Sequence, residues 1–201
     1  MKAGSERNVG HDYIDDFEER YSETARETIA TNWDIINELM QGGLGKGELG
    51  VIVAPAGIGK SWVLSTIGAD AVKRGKHVVH YTLELNESYV GLRYDSIISG
   101  VPNQNLKYHK DEIEQKIKNL KGTASVHTIQ AHLQRMKTLG NDVDLVIVDY
   151  ADIMKDTNNA KEVRHALGNI YEDLRGTAGE IEVPIWTASQ ANRSALDEDV
   201  I

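Results

Sequence analysis

Residues 49–74 constrain the fold more than any other stretch of this sequence. The apolar run LGVIVA leads directly into the glycine-containing turn APAGIGKS, and the turn leads into a segment read as a helix from Lys60 to about Arg74. APAGIGKS fits the phosphate-binding pattern with Ala54 at its first position, and its seat between a strand and a helix is the context that gives the pattern meaning. Gly57 and Gly59 let backbone N–H groups turn inward around a β-phosphate, Lys60 reaches the terminal phosphates, and Ser61 offers a hydroxyl to Mg²⁺. The N-terminus of the following helix favours negative charge. Ala54, Pro55, Ala56, Gly57, Ile58, Gly59, Lys60, Ser61 and Trp62 are thus the expected residues around a nucleoside triphosphate. The alternative is an ordinary strand-to-helix turn with a chance GKS, and the flanking strand and helix weigh against it.

Strands and helices alternate from there on. Strands are read at LGVIVA, HVVHYTLE, ASVHT, DLVIVDY and PIWTASQ, and helices at Ser88 to about Gly100, KDEIEQKIKNL, IQAHLQRMKTLG and EVRHALGNIYEDLRGTAGE. Alternation with near-continuous Val/Ile/Leu strands predicts an α/β fold, a mostly parallel sheet with helices on both faces. Ligands in such sheets sit at the carboxyl ends of the strands. Upstream, TNWDIINELMQGGLGKGE predicts a short helix capped by Thr31 or Asn32 and ended by Gly42 and Gly43. The glycines there, Gly45 and Gly47 included, precede a strand, so they form a turn and not a dinucleotide fingerprint. Residues 10–28 are acidic and carry Tyr13, Phe17 and Tyr21 four apart, a helical stripe that packs either on this chain's own core or on a partner.

The chain has 201 residues, enough for one substantial domain with an appendage. Residues 1–28 are the expected extension and 29–201 the domain, incomplete at its C-terminus. No apolar run approaches the ~20 residues needed to cross a bilayer. No signal peptide opens the chain, and there is no cysteine for disulfides or thiolate metal sites, so a cytoplasmic protein off the membrane is expected. The formal net charge of −9 argues against a broad basic face for nucleic acid, leaving only a small local surface for that purpose.

A triphosphate site needs a carboxylate for the metal and a means of activating water. DLVIVDY ends in Asp149, a carboxylate after an apolar strand, read as a Mg²⁺ partner with Ser61 or else as a turn residue. YTLELNES places Glu84 where a carboxylate can accept a proton from water; a solvated strand-end charge is the other reading, with Glu87 at the start of the next helix. IWTASQANRS ends a further strand with Ser189 and Gln190, an amide able to hydrogen-bond a γ-phosphate or to serve as a buried polar cap.

Together these residues resemble the motor domain of the DnaB-type replicative helicases, within the wider RecA-like ATPases. APAGIGKS matches the family's first motif, and TLELNESYVGLR its catalytic glutamate, with Glu84 followed by Arg93. LVIVDYADIM matches its metal-binding strand and SQANRS its glutamine switch, with order and spacing agreeing across residues 29–194. The resemblance implies a RecA-like P-loop fold that hydrolyses ATP with Mg²⁺, Glu84 as general base, and Lys60 and Gln190 as catalytic contacts to the γ-phosphate. It implies a homo-oligomer, a hexameric ring that moves single-stranded DNA through its bore, and it makes residues 10–28 a linker helix packed on the neighbouring subunit. The family's amino-terminal domain does not precede that helix, and the family's DNA-contacting loops and arginine finger lie beyond the switch, so this chain is expected to bind ATP but hydrolyse it poorly. Arg193 belongs to the switch motif and is not taken as the finger.

Two other classes share the chemistry. A RecA-type recombinase forms filaments on DNA, and a clock-protein-like regulatory ATPase binds no nucleic acid; SQANRS and the linker-like helix favour the helicase, and the acidic composition favours the regulator. Lys155, Lys161 and Arg164 are the basic residues that could face DNA, or simply solvated charges. His77 and His80 share a strand, and His127 and His132 span a strand-to-helix junction, without the further ligands of a metal site. Trp33, Trp62 and Trp186 each sit beside a periodic apolar segment and are expected in the core.

Overall fold

Runs of branched apolar residues bounded by helical segments pair side by side, because a strand that leaves through a helix returns parallel to its start. The computed structural model describes residues 13–15, 17–18, 26–128, 143–154 and 163–191. A short antiparallel pair, β1 (Thr28–Ile29) with β2 (Leu44–Gly45), brackets helix α1 (Asp34–Leu39). The main series is β3 (Leu49–Ala54), α2 (Lys60–Lys73), β4 (His77–Thr82), α3 (Glu87–Ser99), a 3-10 helix (Asn103–Tyr108), α4 (Lys110–Lys118), β5 (Thr123–Thr128), β6 (Leu145–Asp149), a 3-10 turn (Ala151–Ile153), α5 (Val163–Ile181) and β7 (Ile185–Gln190). The sheet order is β3-β7-β6-β4-β5, with every neighbouring pair parallel.

Period-two alternation splits the core between the two faces. Val78, Leu145 and Ile147 meet Leu64 and Ile67 of α2 and Val90 and Tyr94 of α3 on one side. Val79, Val146, Val148 and Ile185 meet Ile170, Leu174 and Ala178 of α5 on the other. All five residues of β6 are buried, which is why the strand reads as an unbroken apolar run from Leu145 to Val148 before it closes on Asp149. His80, in the middle of β4, is also fully buried; its Nδ1 lies 3.2 Å from the Tyr94 hydroxyl, and burial first, then the Arg93 charge, pushes its pKa down to about 3.

Several expectations need correction. Helix α1 starts at Asp34 with Trp33 at the cap position, not Thr31 or Asn32. Thr31 Oγ1 instead accepts from the Trp33 N–H at 3.2 Å and donates to Asn37 Oδ1 at 3.0 Å, so its hydroxyl is engaged before the helix begins. Strand β4 stops at Thr82, short of Glu84, because Thr82 Oγ1 donates to the Leu85 carbonyl at 2.9 Å and accepts from its N–H at 3.1 Å, curling the chain out of the ladder. Trp186 is buried and Trp33 packs against the core, but Trp62 is 40% exposed on α2, with the Arg93 guanidinium 5.0 Å from its ring centre. In the acidic N-terminal stretch Tyr13 and Phe17 are exposed on this chain, and Tyr21 lies outside the described residues. The helix expected at IQAHLQRMKTLG, with His132, and the residues Lys155, Lys161 and Arg193 also lie outside them. Among the described residues no helix is long and apolar enough to cross a membrane.

Candidate nucleotide-binding site

The parallel register lines up the strand ends that carry the expected site. Thr82 is level with Asp149, and Ala54 with Gln190, so β4, β6, β7 and β3 end along one edge of the sheet. From Ala54 the chain turns through Pro55–Gly59 into α2. Gly57 and Gly59 hold φ of +78° and +99°, and a Cβ at either would meet nothing within 4 Å, so glycine is required there by backbone conformation and not by crowding. Ala56, Gly57 and Ile58 are exposed, which leaves the concave side of the turn open to a ligand. Helix α2 starts directly after this turn, at Lys60, so its first N–H groups, which have no acceptor within the helix, lie next to the turn; from Trp62 on they are engaged, the Trp62 N–H donating to the Gly59 carbonyl at 2.9 Å. Lys60 Nζ donates to the Ala54 and Pro55 carbonyls, 3.0 Å each, and so lies across the mouth of the loop. Its ammonium is also 5.8 Å from the centre of the Tyr150 ring.

Ser61 and Asp149, 88 positions apart in sequence, meet directly: Ser61 Oγ donates to Asp149 Oδ1 at 3.0 Å. Asp149 is 1% exposed, and its Oδ2 is buried without a hydrogen-bond partner among the described residues. Burial raises its pKa, the Ser61 hydrogen bond and the Arg93 and Lys60 charges oppose that, and Glu84 adds to it. A buried carboxylate with one oxygen unengaged, beside a hydroxyl, is a hard-oxygen donor set that fits Mg²⁺. Glu84 is exposed in the bend after β4, close enough for its charge to act on both Asp149 and Tyr150. Gln190, at the end of β7, is exposed; its backbone N–H donates to Asp152 Oδ2 at 2.7 Å. The fold therefore gathers Lys60, Ser61, Glu84 and Asp149 at one site and aligns Gln190 beside the phosphate loop.

Sequence reasoning gave no role to two residues here. Arg93 was noted only as following Glu84, yet it stacks on Trp62, and its buried Nη1 has no partner among the described residues. Asp152 binds the end of β7; an acid three residues after Asp149 in an otherwise apolar run was the available signal.

A parallel α/β sheet with a glycine turn and a Ser–Asp pair at its strand ends is the arrangement of the phosphate-loop class of nucleotide-binding folds. The family described as the DnaB-like helicase C terminal domain matches residues 28–199, and the chain belongs to that family. It is 29% identical to a DnaB-like replicative helicase of Enterobacteria phage T4 across 94% of this chain and 45% of that protein. It is 23% identical to the replicative DNA helicase DnaB of Helicobacter pylori across 78% of this chain and 35% of that protein. A solved DnaB-like replicative helicase, described with its interactions with primase, superposes with a TM-score of 0.74 at 15% identity, over 92% of this chain and 49% of the other, which shows the shared fold. The chain thus spans less than half the length of these relatives. Family membership selects the helicase branch over the recombinase and regulatory alternatives.

Proposed function

We propose that this chain is the ATP-hydrolysing motor domain of a ring-forming replicative DNA helicase that translocates on single-stranded DNA. In this reading residues 29–201 form the motor, residues 1–28 a linker helix docked on the next subunit of a hexamer, and the protein works in a bacterial or phage-infected cytoplasm. The observation that carries it is the Ser61–Asp149 hydrogen bond at 3.0 Å beside an open glycine turn, with the second Asp149 oxygen buried and unengaged. The relatives that support it are named replicative helicases.

The chain's own groups divide the work. The turn from Ala54 to Gly59 and the first N–H groups of α2 bind the phosphates. Lys60 exchanges its two loop carbonyls for phosphate oxygens, trading neutral acceptors for charged ones. Ser61 and Asp149 would hold Mg²⁺, which supplies neutralisation of the charge on the phosphate oxygens. Glu84 takes the proton from the water that attacks the γ-phosphorus, the bond to the β-phosphate oxygen breaks, and ADP and phosphate leave. Gln190 contacts the terminal phosphate and loses that contact when it departs.

The test is ATP turnover by the full-length protein with and without single-stranded DNA, together with unwinding of a forked duplex. Stimulated turnover with unwinding is expected. Turnover indifferent to DNA would end the motor reading, and stimulation without unwinding would transfer it to a filament-forming strand-exchange protein.

A further inference from the structure

Strand β7 runs farther than its neighbour β6 can follow. The β6–β7 ladder pairs Val146 with Ile185, Ile147 with Trp186 and Val148 with Thr187, and β7 then continues to Gln190 with β3 as its only strand partner among the described residues. On the vacated side stands Asp152, in the 3-10 turn after β6. Its Oδ2 accepts from the Gln190 N–H at 2.7 Å and from Ser189 Oγ at 3.1 Å. Its Oδ1 accepts from the Tyr171 hydroxyl of α5 at 2.5 Å. Burial, then the Asp152 hydrogen bond, holds the Tyr171 phenol above its ordinary range. Thr187 adds a tie one step earlier, its Oγ1 donating to the Val148 carbonyl at 2.7 Å and accepting from the Ala151 N–H at 3.1 Å. Past Gln190, the Ala191 N–H donates to the Ala54 carbonyl at 3.2 Å, at the start of the phosphate loop.

Gln190 is therefore fixed from both sides, by the carboxylate of Asp152 and by the loop strand. Hydrogen bonds to a carboxylate are the strong kind, and donors from two separate elements determine its orientation. We propose that Asp152 is a positioning residue: it replaces the missing ladder partner of β7 and so sets the backbone from which the Gln190 amide reaches a terminal phosphate. This rests on the reading of Gln190 as that phosphate's contact. Asp152 touches no nucleotide itself; it acts through Gln190.

The experiment is titration calorimetry of ATP and of ADP, each with Mg²⁺, on the parent and on Q190A, D152A, D152N and the D152A/Q190A double variant. The readout is the ratio of the two affinities, which reports contact with the terminal phosphate and is blind to a uniform change in binding. Loss of one hydrogen bond to a charged oxygen predicts a fall of roughly tenfold to a hundredfold in that ratio for Q190A. D152A is expected to fall comparably, and the double variant no further than Q190A alone. D152N retains a carbonyl oxygen for the Gln190 N–H and is expected to preserve most of the ratio. An unchanged ratio in Q190A overturns the phosphate-contact reading and this proposal with it. A loss in Q190A with none in D152A, losses that multiply in the double variant, or a D152N as poor as D152A overturns the proposal alone. If D152A is unfolded by circular dichroism, Tyr171→Phe replaces it: the ratio should fall in the parent background and not in Q190A, and equal falls in both overturn the proposal.

Discussion

Replacing Ser61 with Ala probes the contact on which the site depends. The hydroxyl is the donor to Asp149 Oδ1, and the other carboxylate oxygen has no partner among the described residues, so the variant leaves a 1%-exposed carboxylate without hydrogen bonds from its surroundings. Stranding a buried acceptor costs about 1–3 kcal/mol. Burial already raises the Asp149 pKa, and the Ser61 hydrogen bond is the largest influence opposing the rise, so its loss weakens the charged form further. For a chain of this size a cost of about 1–3 kcal/mol is a drop in Tm of roughly 2–12 °C without nucleotide. The more telling readout is the rise in Tm on adding Mg²⁺ with ADP, compared with ADP in chelator. The parent should show a clear metal-dependent increment, and S61A should lose most of it, because one of the two oxygens proposed to hold the cation is gone. D149N should lose the increment as well, and the double variant should be no worse than either single one, since the pair acts as a unit. An S61A protein with the parent's metal increment would refute the reasoning, whatever its Tm.

Three further outcomes follow from the geometry. Lys60→Ala removes the ammonium bridging the Ala54 and Pro55 carbonyls and is expected to abolish nucleotide binding in calorimetry while leaving the far-ultraviolet spectrum unchanged; parental affinity would exclude the phosphate-cradle reading. In the full-length protein Glu84→Gln should bind ATP normally and slow single-turnover hydrolysis by about 10²–10⁴-fold, the range for losing a general base, and full activity would shift the role, first to Glu87. His80 is depressed to about 3 in the folded chain, so its contribution to stability is complete above pH 6.5 and is lost as the unfolded chain takes up a proton below that. Urea unfolding at pH 5 should show about 2 kcal/mol less stability from this group than at pH 7, and His80→Gln should lack that increment. Equal losses in the two proteins would contradict it.

Much of the fold was legible in one dimension because its determinants are local. The apolar runs of β3, β6 and β7 and the helix from Lys60 stand where periodicity put them, to within a residue or so. The misjudged boundaries have a common cause in side chains that bind nearby backbone. Thr82 curls the chain toward Leu85 before Glu84, and Thr31 engages Trp33 and Asn37 before the helix, and neither hydroxyl betrays its partner by spacing. Trp62 was misjudged because a periodic segment does not reveal which of its faces meets the sheet; here Arg93 from another helix covers the ring.

By itself the sequence determined that a glycine turn follows β3 and that an acid, Asp149, and an amide, Gln190, close two neighbouring strands, since a glycine turn and an apolar run impose their conformations through local sterics and burial. Which of those groups meet was decided only by the tertiary structure. The register of five parallel strands brings Ser61 to Asp149 and Asp152 to the end of β7, because a hydrogen bond depends on separation in space, and separation along the chain leaves that undetermined.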